Sequence, residues 1–129
     1  MLLVEDDELN QLVASELISS FGAQVDIAED GLTAAEIFEN AGEGAFDIVF
    51  MDWRMPRADG LEATSLIRKI EEGRGWSRTP IIAMTANAFD EDRKRALAGG
   101  MDGFIAKPIS LETIEHFLKK HLPEKPSSN

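Results

Sequence analysis

Asp47-Ile48-Val49-Phe50-Met51-Asp52 is the stretch on which the fold turns. A short apolar run bounded by acids reads as a buried strand. The residues that follow, Trp53-Arg54-Met55-Pro56 and then Asp59-Gly60, cannot continue it and read as a loop. The strand therefore stops on a carboxylate. In an open α/β sheet the carboxyl ends of the strands are where ligand chemistry sits, so Asp52 is a candidate nucleophile or metal ligand.

Upstream, Met1 to Val4 reads as a first strand. Leu9, Leu12, Val13, Leu17 and Phe21 recur at helical spacing and mark a helix that Gly22 ends. Gln24 to Ala28 reads as a second strand, with Val25 and Ile27 alternating against polar neighbours, and Leu32 to Asn40 as a second helix. Downstream of Asp52, helices are expected over Leu61 to Glu72, over Phe89 to Ala98 and from Leu111 to Leu122. Strands are expected over Ile81 to Met84 and Gly103 to Ala106. Five strands alternating with five helices imply a parallel sheet covered on both faces. Right-handed crossovers leave few arrangements, and the flavodoxin-like order 2-1-3-4-5 is expected, with a site at the switch between strands one and three. Residues 1–122 form one domain in this reading, and the Pro- and Ser-containing stretch 123–129 a frayed tail.

Composition narrows the function. The 129 residues carry 24 acidic and 13 basic side chains, a net charge of −11, which opposes binding to nucleic-acid phosphates and suits divalent cations and basic partners. No apolar run reaches the length of a membrane helix, so no direct membrane contact is expected. The start, four apolar residues followed by acids, is not a secretory signal. Without cysteine there is no disulfide or thiolate zinc site. A cytoplasmic location is the simplest expectation.

The expected strands bordering the proposed switch end in reactive residues. Strand one runs into Glu5-Asp6-Asp7, strand three ends in Asp52, strand four in Thr85, and strand five in Lys107-Pro108. In a parallel sheet these ends share one edge. Clustered carboxylates repel one another and need a cation, and an all-oxygen donor set selects Mg²⁺ or Mn²⁺ over zinc. Lysine supplies a point charge for a phosphoryl oxygen, threonine a hydroxyl donor, and the backbone N–H groups after Asp52 and Thr85 can meet other oxygens. Phosphoryl transfer needs positioning and charge neutralisation of this kind, with Asp52 forming an acyl phosphate.

These segments, in this order and each at a strand end, resemble the response-regulator receiver domain, the phosphoacceptor module of two-component phosphorelays. The resemblance covers residues 1 to about 122. It implies that Asp52 is the phosphorylated aspartate, that Asp6 binds the metal directly and Glu5 through water, and that the main-chain carbonyl of Arg54 completes the protein's ligands. Thr85 would be the switch hydroxyl, Lys107 the phosphate-contacting lysine and Phe104 the switch aromatic, with Pro108 after a cis peptide. The domain would catalyse its own phosphorylation, from a phosphohistidine, and its own slow dephosphorylation. Its partner would be a histidine kinase or a histidine phosphotransfer domain. Glu5-Asp6-Asp7-Glu8-Leu9-Asn10-Gln11 resembles receivers at the end of hybrid sensor histidine kinases more than those of transcription factors, and the abrupt start in strand one suggests an excised or trimmed domain.

The competing readings have identifiable weaknesses. A flavin or nucleotide binder needs a glycine- or hydroxyl-rich loop after strand one, where this chain has three acids. A haloacid-dehalogenase-like phosphatase resembles Asp-x-Asp, and position 54 is arginine. A degenerate receiver that never takes phosphate is the remaining alternative. Trp53 is expected either to cover the site or to form a docking surface, Arg54 to pair with an acid or gate water, and Trp76 to anchor its loop or meet a partner. His116 and His121 fall away from the strand ends.

Overall fold

The computed structural model describes residues 1–53, 59–85, 90–106 and 110–121, with the backbone alone at 90–93 and 121. Its elements alternate as β1 (Leu2–Val4), α1 (Glu8–Ser19), β2 (Asp26–Ala28), α2 (Gly31–Ala41), β3 (Val49–Asp52), α3 (Gly60–Arg74), β4 (Ile81–Thr85), α4 (Asp90–Ala98), β5 (Gly103–Ala106) and α5 (Leu111–His121). All pairings are parallel, and the sheet runs β2-β1-β3-β4-β5 as expected.

Successive side chains of a strand point to opposite faces, so each strand feeds two cores. Leu2, Val4, Val49, Met51, Ile81 and Ala83 join Phe38 of α2, Ile67 of α3 and Ala96 of α4 on one face. Leu3, Ile48, Phe50, Ile82 and Met84 join Ile18 of α1 and Ile114 and Phe117 of α5 on the other. Being apolar on both faces, β3 and β4 read in sequence as continuous apolar runs.

Aspartates start the helices. Asp7, Asp30 and Asp59 each sit in extended backbone and accept the N–H of Leu9 (3.0 Å), Thr33 (2.8 Å) and Glu62 (2.9 Å), which satisfies donors the first turn leaves over. Gly75 ends α3 in the left-handed region at φ 68°.

Two expectations change. The second strand is shorter than read, because it is the sheet edge: Asp26 and Ile27 are exposed, and Ala28 is buried. In α1 the helix is where the spacing put it, but its buried face is Ala14 and Ile18, with Leu17 and Phe21 packed alongside. Leu9, Leu12 and Val13 lie at least about 100° round the helix from Ala14, and all three are exposed. No described helix is long and apolar enough to cross a membrane.

Candidate metal and phosphoacceptor site

Strand register assembles the site. Val4 lies opposite Met51, which sets Glu5 level with Asp52. Asp52 lies opposite Met84, which leaves Thr85 one residue further along β4. Carboxylate oxygens of Glu5, Asp6 and Asp52 all lie within 4.8 Å of one another. Glu5, Asp52 and Thr85 are buried and Asp6 is exposed. At this separation the buried pair of carboxylates repels by about 3 kcal/mol for an effective dielectric near 20. The donors are all hard oxygens, with neither nitrogen nor sulfur among them, so the set fits Mg²⁺ or Mn²⁺.

Local structure holds these acids in place. The Glu5 N–H continues the ladder to the Ala28 carbonyl (3.0 Å), while its own carbonyl accepts from the Gln11 side-chain amide (2.7 Å) and its carboxylate from the Asp7 N–H (3.3 Å). Asp7, third in the acidic run, points its carboxylate at the first turn of α1 instead. The carboxylates of Glu5 and Asp6 thus lie with that of Asp52, while that of Asp7 faces the helix.

Phe104 is described, half-buried on β5 opposite Ala83. Thr85 pairs with Ala106, the residue before Lys107. Arg54, Lys107 and Pro108 lie outside the described residues; of the rest of the expected set, the structure gathers Glu5, Asp6 and Asp52, puts Thr85 at the neighbouring strand end, and sets Phe104 against Trp53.

At Trp53, directly after Asp52, one of the two expected roles is ruled out. Trp53 is 7% exposed and belongs to a core, so it is no docking surface. Its ring meets Phe104 edge-on at 6.5 Å, and the Arg95 guanidinium carbon lies 5.9 Å from its centroid. Its N–H donates to the Met84 carbonyl (2.8 Å), so the first N–H after Asp52 is engaged by β4. Trp76 anchors its loop, packed 6.0 Å from Phe38 with Arg74 over its ring.

Gly60 is a site residue that composition did not single out. Its N–H donates to the Trp53 carbonyl (3.1 Å), and a Cβ there would stand 2.5 Å from the Asp52 carbonyl oxygen. Glycine lets α3 begin directly against the end of β3. The only hint in the sequence was Asp-Gly after an apolar strand.

Residues 1–119 match the family model described as the response regulator receiver domain. Hybrid signal transduction histidine kinase A of Dictyostelium discoideum is 40% identical over 92% of this chain. The chain spans only 5 to 15% of the length of the first curated relatives. The receiver domain of a sensor histidine kinase from Pseudomonas aeruginosa, solved with a magnesium ion coordinated in the active-site cleft, is 39% identical, with a TM-score of 0.81 over 93% of either chain. A Saccharomyces cerevisiae histidine phosphotransfer protein has been solved with the receiver domain of its downstream response regulator. That structure matches at 27% identity and TM-score 0.84, over 93% of this chain and 86% of that one.

Proposed function

Since the chain belongs to the response-regulator receiver family of two-component signalling, we propose that it takes a phosphoryl group from a phosphohistidine onto Asp52. The observation that carries this is the convergence of Glu5, Asp6 and Asp52 within 4.8 Å at the carboxyl edge, with Thr85 at the next strand end. Asp52 attacks phosphorus in line, the histidine nitrogen leaves with the bonding pair, and the product is an acyl phosphate. Glu5, Asp6 and Asp52, with the main-chain carbonyl of Arg54, would hold Mg²⁺, which when bound would supply positive charge to offset that of the phosphoryl oxygens. Lys107 meets a phosphoryl oxygen and Thr85 donates its hydroxyl to another. With Thr85 drawn to the phosphate, Phe104 and the α4–β5 face change arrangement. Water then returns the site to free aspartate, slowly, so the domain catalyses its own phosphorylation and dephosphorylation.

The donor we propose is a histidine phosphotransfer domain or a kinase core in the cytoplasm, with residues 1–122 as a receiver derived from a hybrid histidine kinase and 123–129 as its tail. The exposed Leu9, Leu12 and Val13 support a protein donor, because α1 starts directly after the acidic run and offers apolar surface beside it.

The test is incubation with Mg²⁺ and acetyl phosphate, read by intact mass, with beryllofluoride titration read by amide NMR. One phosphoryl group per chain is expected, lost in Asp52→Asn. A folded wild-type chain that gains no mass and shows no spectral change would refute the assignment in favour of a non-phosphorylated interaction module. Uptake that survives in Asp52→Asn would move the phosphoacceptor elsewhere.

A further inference from the structure

Trp53 is the meeting point of five elements. Its backbone is stitched to β4 through Met84 and to α3 through Gly60. Its ring packs on Phe104 of β5, with the planes at 70°. Arg95 of α4 lies over it at 5.9 Å, within cation–π range, and tryptophan is the ring that attracts a cation most. Ala96, next to Arg95, is fully buried in the same core as Trp53, so the helix is seated where Arg95 reaches the ring. One peptide bond separates Trp53 from Asp52. Arg95 is itself exposed, open to whatever contacts α4.

We infer that Arg95, acting through the Trp53 ring, is a positioning residue for the phosphoacceptor end of β3 and so lengthens the phosphoryl lifetime on Asp52. The inference rests on the phosphoacceptor reading and adds a positioning residue to it. The Arg95–Trp53 contact supplies a physical link, because α4 cannot move off the end of β3 without breaking it. Releasing the ring loosens the backbone directly after Asp52 and admits water to the phosphoryl group.

Arg95 and Phe104 have further partners, so a cycle with Trp53 isolates this contact. Methionine at 95 keeps helix propensity and length while removing the charge. In Arg95→Met, hydrogen exchange at the Trp53 amide should rise, and the aspartyl-phosphate half-life fall, each by about threefold, the scale of one exposed cation–π contact. Arg95→Lys should restore most of both. In Trp53→Phe, which keeps a ring in the core, the step caused by Arg95→Met should shrink. Unchanged Trp53 exchange and half-life in Arg95→Met would overturn the inference, as would a half-life step of undiminished size in Trp53→Phe. If the wild-type chain takes no phosphate, the function falls first, and that failure is distinguishable because Trp53 exchange needs no phosphate.

Discussion

The two edges of the sheet use charge in opposite ways. At the carboxyl edge, three carboxylates approach within 4.8 Å of one another. At the amino edge, opposite charges close a hydrogen-bonded network around Arg68 of α3. Its guanidinium donates to the Glu71 carboxylate (2.7 Å), the Thr79 carbonyl (2.8 Å), the Gly100 carbonyl (2.8 and 3.0 Å) and the Asp102 carboxylate (2.8 Å). The acids have second duties, since Glu71 accepts the Thr79 N–H (2.7 Å) and Asp102 the Ile81 N–H (2.9 Å). The network joins α3, the start of β4 and the segment leading into β5. One edge gathers like charge around the proposed phosphoacceptor; the other uses opposite charges to hold strands. Stability and the proposed chemistry thus sit at opposite ends of the same strands, so each can be broken without the other.

The largest effect on stability belongs to Arg68. Arg68→Met removes the central cation and leaves Glu71, which is 4% exposed, and Asp102 without it. Breaking a largely buried pair from one side costs about 3 kcal/mol, which for a chain of this size lowers the Tm by on the order of 10 °C. Calorimetry checks the size, and Mg²⁺ titration of the folded variant checks the separation of the edges: its affinity should stay within about twofold of wild type, as expected for distant sites. A large loss of Mg²⁺ affinity at unchanged stability would reverse the roles assigned to the two edges.

The opposite sign is expected at the other edge. Asp52→Asn keeps the shape of the side chain and removes one of three repelling charges. In Mg²⁺-free buffer it should stabilise the domain by about 1 kcal/mol, read as the urea midpoint. Saturating Mg²⁺ should shrink or reverse the difference, because the wild-type chain gains stability by binding the ion. Destabilisation without Mg²⁺ would show that the carboxylate cluster is not under electrostatic strain.

This division between edges also explains what could be read from the sequence. The carboxyl edge was legible because strand ends are marked locally: an apolar run stops, an acid or a threonine follows, and a parallel sheet brings such ends together. Glu5, Asp6, Asp52 and Thr85 were found that way. The amino edge was not legible, because Arg68, Glu71 and Asp102 become neighbours only once α3 has packed beside β4; in sequence Arg68 and Glu71 are an ordinary helix-surface pair. Periodicity found α1 but misjudged its inner face, since Leu9, Leu12 and Val13 are apolar and still exposed. For Trp53 the sequence left two readings open, a cover for the site or a docking surface; the alternation Val49, Met51, Trp53, which carries its ring into the core, removes the second.

The smallest effect is the sharpest check on the amino edge. Arg78 binds the same Asp102 carboxylate as Arg68, at 2.9 Å, and the same Gly100 carbonyl, at 3.0 Å. At Asp102 and Gly100 the two arginines make similar contacts, while Arg68 alone also reaches Glu71 and Thr79. They differ in solvent: the Arg78 side chain is 56% exposed and that of Arg68 15%. Water screens the Arg78 pair and solvates either charge when the other is removed, so Arg78→Ala should cost about 0.5 kcal/mol, a small fraction of the Arg68→Met loss. Raising the salt concentration should erase the Arg78 effect and leave most of the Arg68 effect, since exposed pairs are screened and buried ones much less so. If both substitutions cost the same, neither the burial of Arg68 nor its additional hydrogen bonds give the network its strength.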